Sequence, residues 1–196
     1  MATLTPIDPT TANNSNWTNV SDNVLNDDNT GTYVGNASNN DQTDLIQEFV
    51  LDDIIDGDFA SMAALSWTIA YQNSGNNADK TWDSLKVSIR NAAGTVVLAG
   101  ASSTYASRLQ TVASNITNTT VQEDGPTGFT YTNTSASESD WNGGIVELAI
   151  TQTKNKGGNS DEYRVCEVEF TGTYTATGGA ATNTVMPALM RIAGGI

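Results

Sequence analysis

The 22 Asp and Glu carboxylates are the side chains of this sequence best suited to bind metal or to catalyse a reaction. Ca²⁺ takes several oxygen ligands, often from loops rich in Asp and Asn. Two acidic runs have that composition: Asp52, Asp53, Asp56 and Asp58 in LDDIIDGD, and Asp27 and Asp28 before Asn29 and Gly31. Neither run has the spacing of an EF-hand loop, and Asp and Asn also favour turns because they hydrogen-bond their own backbone. We therefore favour turns over calcium sites, and we predict no metal and no cofactor.

A second set of carboxylates lies in the C-terminal half of the chain: Glu138, Asp140, Glu147, Asp161, Glu162, Glu167 and Glu169. Two carboxyls about 5–9 Å apart could hydrolyse a glycosidic bond, but an acidic β protein brings such pairs together by chance. The chain has no histidine, which excludes Ser-His-Asp and Cys-His catalysis and His-based zinc sites. The single cysteine, Cys166, allows no intrachain disulfide and is expected to be a small buried hydrophobe. These observations predict a protein that is not an enzyme.

Two tryptophans beside turns are candidate ligand-facing aromatics. Trp82 lies in the turn region Asp79–Asp83, and Trp141 lies in the turn region Asp140–Gly144. An exposed indole offers an apolar face on which a sugar ring can stack, with a polar edge beside it. The alternative is that these side chains clamp a loop onto the body of the domain. Trp67 alternates with Leu65 and Ile69 and is predicted to belong to the core.

The charge balance argues against several classes of partner. There are 22 Asp and Glu but only 8 Lys and Arg, so the net charge is −14. Such a surface repels nucleic-acid phosphates and anionic membranes. No apolar run approaches the roughly 20 residues that span a bilayer. The N-terminal residues carry neither a basic region nor an apolar stretch, so we expect no signal peptide and synthesis in the cytosol.

Alternating apolar residues predict a series of short strands separated by turns rich in Asn, Gly and Thr. The clear ones are Leu45–Leu51, Ala64–Tyr71, the hairpin Leu85–Ile89 to Val96–Ala99 around Asn91–Gly94, Ile145–Thr151 and Asp161–Thr175. Weaker strands are predicted at Thr104–Val112 and Gly128–Thr132, and helical turns only around Asp52–Met62. The alternation slips by one residue in the last strand, which predicts a β-bulge near Val165–Glu167.

The pattern predicts an all-β fold, an antiparallel β-sandwich that is jelly-roll-like. We divide the chain into an N-terminal arm at residues 1–14, a sandwich domain at 15–176, and a linker with an apolar C-terminal arm at 177–196.

The C-terminal segment is unusually apolar for so polar a chain. Its six large apolar side chains are Val185, Met186, Leu189, Met190, Ile192 and Ile196. Burying each gains about 1.5–3 kcal/mol, and ordering each of the segment's residues costs about 1–2 kcal/mol, so the two contributions are similar. The segment is therefore either a last strand on its own sandwich or an arm that docks on a neighbouring subunit. We favour the arm and expect these six side chains to bind the partner.

The sequence resembles virion proteins of tailed bacteriophages over most of its length. The resemblance is carried by Ser15–Val20, Leu65–Tyr71 (LSWTIAY), Leu85–Arg90 (LKVSIR), the Ile145–Thr151 strand and the closing Tyr163–Tyr174 strand. It implies a jelly-roll capsid decoration (cement) protein, often trimeric, which bridges major capsid subunits. Tail, collar and fibre proteins share such sandwiches, so a carbohydrate- or receptor-binding module is the alternative. The resemblance marks no individual functional residues.

These expectations describe a virion component made in the host cytoplasm. We expect its partners to be the major capsid protein or other virion proteins, and we expect it to form homo-oligomers, among them a trimer. We expect it to bind neither nucleic acid nor membrane.

Overall fold

The computed structural model describes residues 6–9, 34–36, 42–51, 59–73, 82–117, 120–152, 163–176 and 182–184. Within these residues the chain forms two antiparallel β-sheets and very little helix. The strands are β1 (Pro6–Pro9), β2 (Val34–Asn36), β3 (Gln42–Leu51), β4 (Phe59–Asn73), β5 (Trp82–Arg90), β6 (Val97–Gly100), β7 (Gln110–Ile116), β8 (Gln122–Gly128), β9 (Tyr131–Thr132), β10 (Ile145–Gln152), β11 (Tyr163–Ala176) and β12 (Thr182–Thr184). A 3-10 turn covers Tyr105–Ser107, and the short helix α1 covers Glu138–Trp141.

The first sheet has the strand order β1-β3-β10-β5-β6-β9, with β7 also paired to β5. Strand β10 lies between β3 and β5, so it is covered by backbone hydrogen bonds on both edges. Val146, Leu148 and Ile150 of β10 point into the core. Glu147 and Ala149 point to the opposite face and are nevertheless fully buried. Side chains on the outer face of this sheet are therefore also shielded from solvent around β10.

The second sheet has the order β12-β11-β4-β8, with β2 also paired to β11. Its long strands β4 and β11 pair over nearly their whole lengths. The register shifts between Val165 and Glu167, which confirms the bulge that the slipped alternation predicts. The bulge returns Val168 and Phe170 to the core face, where they are buried.

The core lies between the two sheets and is built from alternate residues of facing strands. Leu65, Trp67, Ile69 and Tyr71 of β4 are all buried there, as their spacing predicts. The predicted antiparallel β-sandwich is thus confirmed. The jelly-roll arrangement of its strands stays a prediction.

Three local predictions are wrong. Residues 59–62 are strand rather than helical turn, because Phe59–Met62 pair with the end of β11, while residues 52–58 lie outside the described part. Residues 104–109 form a loop with a 3-10 turn rather than strand. The strand predicted at Gly128–Thr132 is broken at Phe129–Thr130, where the chain passes from β8 in one sheet to β9 in the other.

Each terminal region adds one short strand to a sheet edge. Strand β1 pairs with β3 in the first sheet, and β12 pairs with β11 at Thr173–Thr175 in the second. The boundaries predicted at residues 14 and 176 stay predictions, since most of residues 1–33 and 177–196 lies outside the described part.

Candidate functional site

The structure places one of the two candidate ligand-facing aromatics in the core. Trp141 ends α1, where Ser137 and Asp140 form a capping box, and its side chain is fully buried. It cannot stack on a ligand, so this expectation is wrong and the alternative, a residue that clamps a loop, fits. Trp141 is the last residue of the single helical turn α1, which directs its indole into the core. Trp82 is the first residue of β5, and its side chain lies outside the described part.

The candidate partner-binding residues of the tail, Val185–Ile196, lie outside the described residues, and so do the acidic runs at 27–28 and 52–58. Within the described part, no group of three or more His, Cys, Asp or Glu side chains is arranged to hold a metal ion. Cys166 is buried in β11 and carries no disulfide. No helix of the described residues is long and apolar enough to cross a membrane.

A buried cluster of charges on the outer face of the first sheet is the most organised polar site that the structure shows. Its members are Glu48 of β3, Ser88 and Arg90 of β5, Glu147 of β10, and Arg108 from the loop before β7. Strand register sets three of these residues in one row, since Glu147 lies opposite Glu48 on one side and Ser88 on the other. We call these five residues the Glu147 cluster.

Glu147 is the centre of the cluster and has no exposed surface. Arg108 donates from Nε to Glu147 Oε2 at 2.5 Å and from Nη2 to Oε1 at 2.6 Å, a bidentate pair. Ser88 Oγ donates to Oε2 at 2.6 Å. Arg90 Nε lies 3.0 Å from Oε1 as an ion pair without hydrogen-bond geometry, while its Nη2 donates to Glu48. Two carboxylates thus face two guanidinium groups, and the formal charges cancel.

The electrostatics of the cluster keep Glu147 ionised. Burial by itself raises the pKa of this carboxyl, but the hydrogen bonds from Arg108 and Ser88 and the charges of both arginines outweigh burial, so the pKa lies below its ordinary value. The hydrogen bond to Glu147 likewise raises the pKa of Arg108, although burial opposes it. Both oxygens of Glu147 are engaged and shielded from solvent, so this carboxylate is built to hold the structure together rather than to meet a substrate.

The loop that brings Arg108 to Glu147 is closed at its base. Ala101 N donates to the Arg108 carbonyl at 2.7 Å, and Arg108 Nη1 donates to the Tyr105 carbonyl at 2.7 Å. A side chain at Gly100 would lie 2.1 Å from that same Arg108 carbonyl, so the close approach requires glycine. Residues 101–108, which we call the Tyr105 loop, therefore form a compact Ω-type loop.

Tyr105 lies at the surface of this loop. Its ring packs on Arg108, whose guanidinium carbon is 3.9 Å from the ring centroid, and the guanidinium carbon of Arg90 is 5.5 Å from it. The side chain is nevertheless 50% exposed. The exposed aromatic ring thus packs on the two buried arginines.

The second sheet carries a weaker polar feature. Burial, and after it the nearby charge of Glu123, raises the pKa of Glu169, and Glu169 Oε1 is buried without a hydrogen-bond partner in the described part. A shallow pocket of about 200 Å³ on the same sheet is lined by Ala64–Ser66, Gly128 and Thr171–Thr173, and neither carboxylate reaches it.

The alternation and motifs of the sequence predict neither the Tyr105 loop nor the Glu147 cluster. Two signals were available in the sequence. Glu147 lies in a strand that is apolar on both faces, which indicates that both faces are buried. Arg90 and Arg108 are two of only 8 cations in the chain. A buried Glu needs a cation close by, and few were available.

Comparison with known proteins gives no relative: no family model, no curated protein and no solved structure matches this chain.

Proposed function

We propose that the chain is a non-enzymatic virion structural protein, a capsid decoration protein that binds a phage head and stabilises it through contacts between subunits. The position of the terminal strands carries the proposal. Strand β1 is at the edge of the first sheet, and β12 is at the edge of the second. Edge strands pair readily with strands of another chain, so β1 and β12 both lie where a neighbouring chain can pair with them.

The C-terminal segment continues from one of these edges. Thr184 of β12 pairs with Thr173, and the apolar residues begin at Val185. Burying the apolar side chains on a capsid surface would supply the free energy that the lone segment lacks. The closed, fully paired state of Glu147 supports a structural role rather than a catalytic one.

Truncation tests the proposal. Capsids that lack this protein would be mixed with one of three chains and then sedimented. The three chains are the full-length protein, a chain ending at Thr184 and a chain lacking residues 1–5. We expect the chain that ends at Thr184 to lose capsid binding while its circular dichroism stays that of a folded β protein. Undiminished binding by that chain contradicts the arm, and a full-length protein that never co-sediments contradicts the decoration function.

The alternative, a carbohydrate- or receptor-binding module of a phage tail, collar or fibre, loses support because Trp141 is buried. It would depend on Trp82 or on another exposed aromatic. A glycan array probed with the full-length chain tests it directly, and reproducible glycan binding would favour the module over decoration.

A further inference from the structure

The shallow pocket on the second sheet lies beside the end of β12, the last strand of the chain. Its lining is supplied by three adjacent strands: Ala64–Ser66 of β4, Gly128 of β8 and Thr171–Thr173 of β11. We call it the β4–β11 groove. A cavity of about 150 Å³ accommodates a benzene ring, so the groove, at about 200 Å³, has room for one large apolar side chain.

The groove is formed by small, uncharged residues on the outer face of the sheet. Ser66 pairs with Thr171, and Ala64 pairs with Thr173. Residues that lie directly opposite each other share a face, and the smallness of these side chains leaves the depression. Ser66 Oγ donates to the Thr171 carbonyl at 3.2 Å, so this hydroxyl is already engaged. The groove therefore suits an apolar side chain.

The register of β12 brings Met186 to the groove. Thr184 lies opposite Thr173 in the antiparallel pair of β12 and β11. Each step along one strand of such a pair is a step back along the other, so Met186, two residues after Thr184, falls opposite Thr171 when the strand continues. Opposed residues share a face, and Thr171 lines the groove. The position of Met186 in the register is thus at the groove.

The intervening residue, Val185, falls opposite Gly172, on the other face of the sheet. A Cβ added at Gly172 would lie 2.8 Å from Met62 Sδ and 3.1 Å from Leu65 Cδ1, so buried apolar side chains reach up to the backbone of Gly172. Neighbouring strands are about 4.8 Å apart, and Val185 would extend this apolar layer by one strand. Two successive apolar residues therefore find apolar surface on both faces.

Pro187 favours an extended strand that stops after these two residues. The residue before a proline is restricted to extended backbone, which presets Met186 for a strand. Proline has no N–H to donate to a ladder, which favours an end of the pairing at Pro187. Methionine is also suited to the site, because its unbranched, flexible side chain fills irregular gaps.

We infer that Val185 and Met186 extend β12 by two residues and that the Met186 side chain occupies the β4–β11 groove of its own chain. Since Thr184 already pairs beside the groove, the next two residues reach it without a further connection. The C-terminal arm is thereby divided in two. Val185 and Met186 anchor it to the sandwich, and the residues after Pro187 are those that reach a capsid. Only the role given to the residues after Pro187 rests on the proposed function.

Thermal melts of full-length variants test the anchor. We expect Met186→Ser to lower the melting temperature by about 2–4 °C, as the loss of one partly buried methionine implies for a chain of this size. Met190→Ser makes the same chemical change beyond Pro187 and is the matched control, which should melt with the wild type. Equal melting of the two variants overturns the occupation of the groove by Met186.

Disulfide formation locates Met186 and identifies the chain that supplies it. Opposed residues on neighbouring antiparallel strands have Cβ atoms about 4.5–5.5 Å apart, close to the Cβ separation of a disulfide. Under mild oxidation, Thr171→Cys with Met186→Cys should form an intramolecular disulfide faster than Thr171→Cys with Met190→Cys. The native Cys166 is buried. Equal rates overturn the register, and a disulfide-linked dimer shows that a second copy supplies the side chain, which overturns the anchor within one chain.

A chain that ends at Ala188 separates this anchor from the capsid-binding role. It keeps Val185 and Met186 but lacks the residues assigned to the capsid, so we expect it to melt with the full-length chain and to lose capsid binding. The chain that ends at Thr184 should melt at a lower temperature. Equal melting of the two shortened chains overturns the anchor whatever their capsid binding. Full melting temperature together with retained capsid binding, in the chain that ends at Ala188, supports the anchor and contradicts the capsid role of the later residues.

Discussion

Glu147 shows what a single buried charge does in this fold. Its carboxylate has no exposed surface and takes hydrogen bonds from Arg108 and Ser88, with Arg90 as a further ion-pair partner. A buried ion pair adds little net stability compared with a well-packed apolar substitute, but removing one partner leaves an uncompensated charge in the interior. The group therefore acts mainly by fixing where Arg108 and its loop lie.

Replacing Glu147 with Gln tests this role. The change leaves Arg90 and Arg108 buried with Glu48 as their remaining carboxylate in the cluster, so we expect a loss of about 3–5 kcal/mol in the free energy of unfolding. Urea denaturation at neutral pH measures it. Asp44→Asn is the matched control, since it breaks the partly exposed Lys86–Asp44 pair of 2.6 Å and should cost less than about 1 kcal/mol. Equal effects of the two changes would contradict the structural role of Glu147.

Glu169 shows the opposite electrostatic situation. Burial and the charge of Glu123 raise its pKa above the ordinary value of 4.5. In the unfolded chain the carboxyl ionises near that ordinary value, so between the two pKa values the unfolded state binds fewer protons. The free energy of unfolding therefore falls as pH rises through this window.

Glu169→Gln should consequently stabilise the protein at neutral pH. Since the carboxyl is partly exposed and solvent screens the charge, the expected gain is within about 1 kcal/mol. Thermal melts at pH about 7 and pH about 4, above and below the ordinary pKa of a glutamate, measure the change, and the gain should shrink at the lower pH. A gain of the same size at both pH values would show that ionisation is not its cause.

At the scale of elements, the Tyr105 loop depends on one close backbone approach. Strand β6 ends at Gly100, whose backbone passes so near the Arg108 carbonyl that a methyl group cannot fit between them. This approach lets Ala101 close the loop with its hydrogen bond to Arg108. The geometry of the loop is therefore set by the strand that precedes it as well as by Glu147.

Gly100→Ala should open the base of the loop. We expect a loss of about 1–3 kcal/mol in the free energy of unfolding, the usual cost of overpacking, with faster hydrogen exchange at the Ala101 amide. Gly128→Ala is the control, because no atom lies within 4 Å of the methyl group it would add. If both changes leave the melting temperature unaltered, the close approach at Gly100 is not a constraint.

The molecule as a whole carries a large excess of negative charge, with 22 acidic against 8 basic side chains. Two of the 8 basic side chains, Arg90 and Arg108, are buried in the Glu147 cluster. The exposed carboxylates are left with few cations to neutralise them. Such self-repulsion keeps a protein soluble but opposes the compact state.

Added salt should therefore stabilise the folded chain. Raising the salt concentration from about 0.01 M to about 1 M shortens the Debye length from about 30 Å to about 3 Å, and we expect the melting temperature to rise by a few degrees. Differential scanning calorimetry measures the effect, and a melting temperature that falls with salt would contradict the dominance of repulsion.

The sequence by itself determined the fold class and much of the strand pattern. Alternation placed Trp67 and Ile69 in the core and located the bulge at Val165–Glu167, because a strand with period two has one register that buries its apolar face. The absence of histidine closes several catalytic routes whatever fold the chain adopts. These properties are local or compositional, so they can be read from the residues themselves.

Tertiary structure alone decided which polar residues meet. Glu147 and Arg108 are 39 residues apart, and Glu48 and Arg90 are 42 apart. Their contacts depend on the order of β3, β10 and β5 in the first sheet, which alternation does not specify. Pairing with β11 likewise causes Phe59–Met62 to form a strand. The single helical turn α1 places Trp141 in the core. Contacts between distant segments decided these outcomes, because burial and charge pairing are properties of the packed sheets rather than of any one segment.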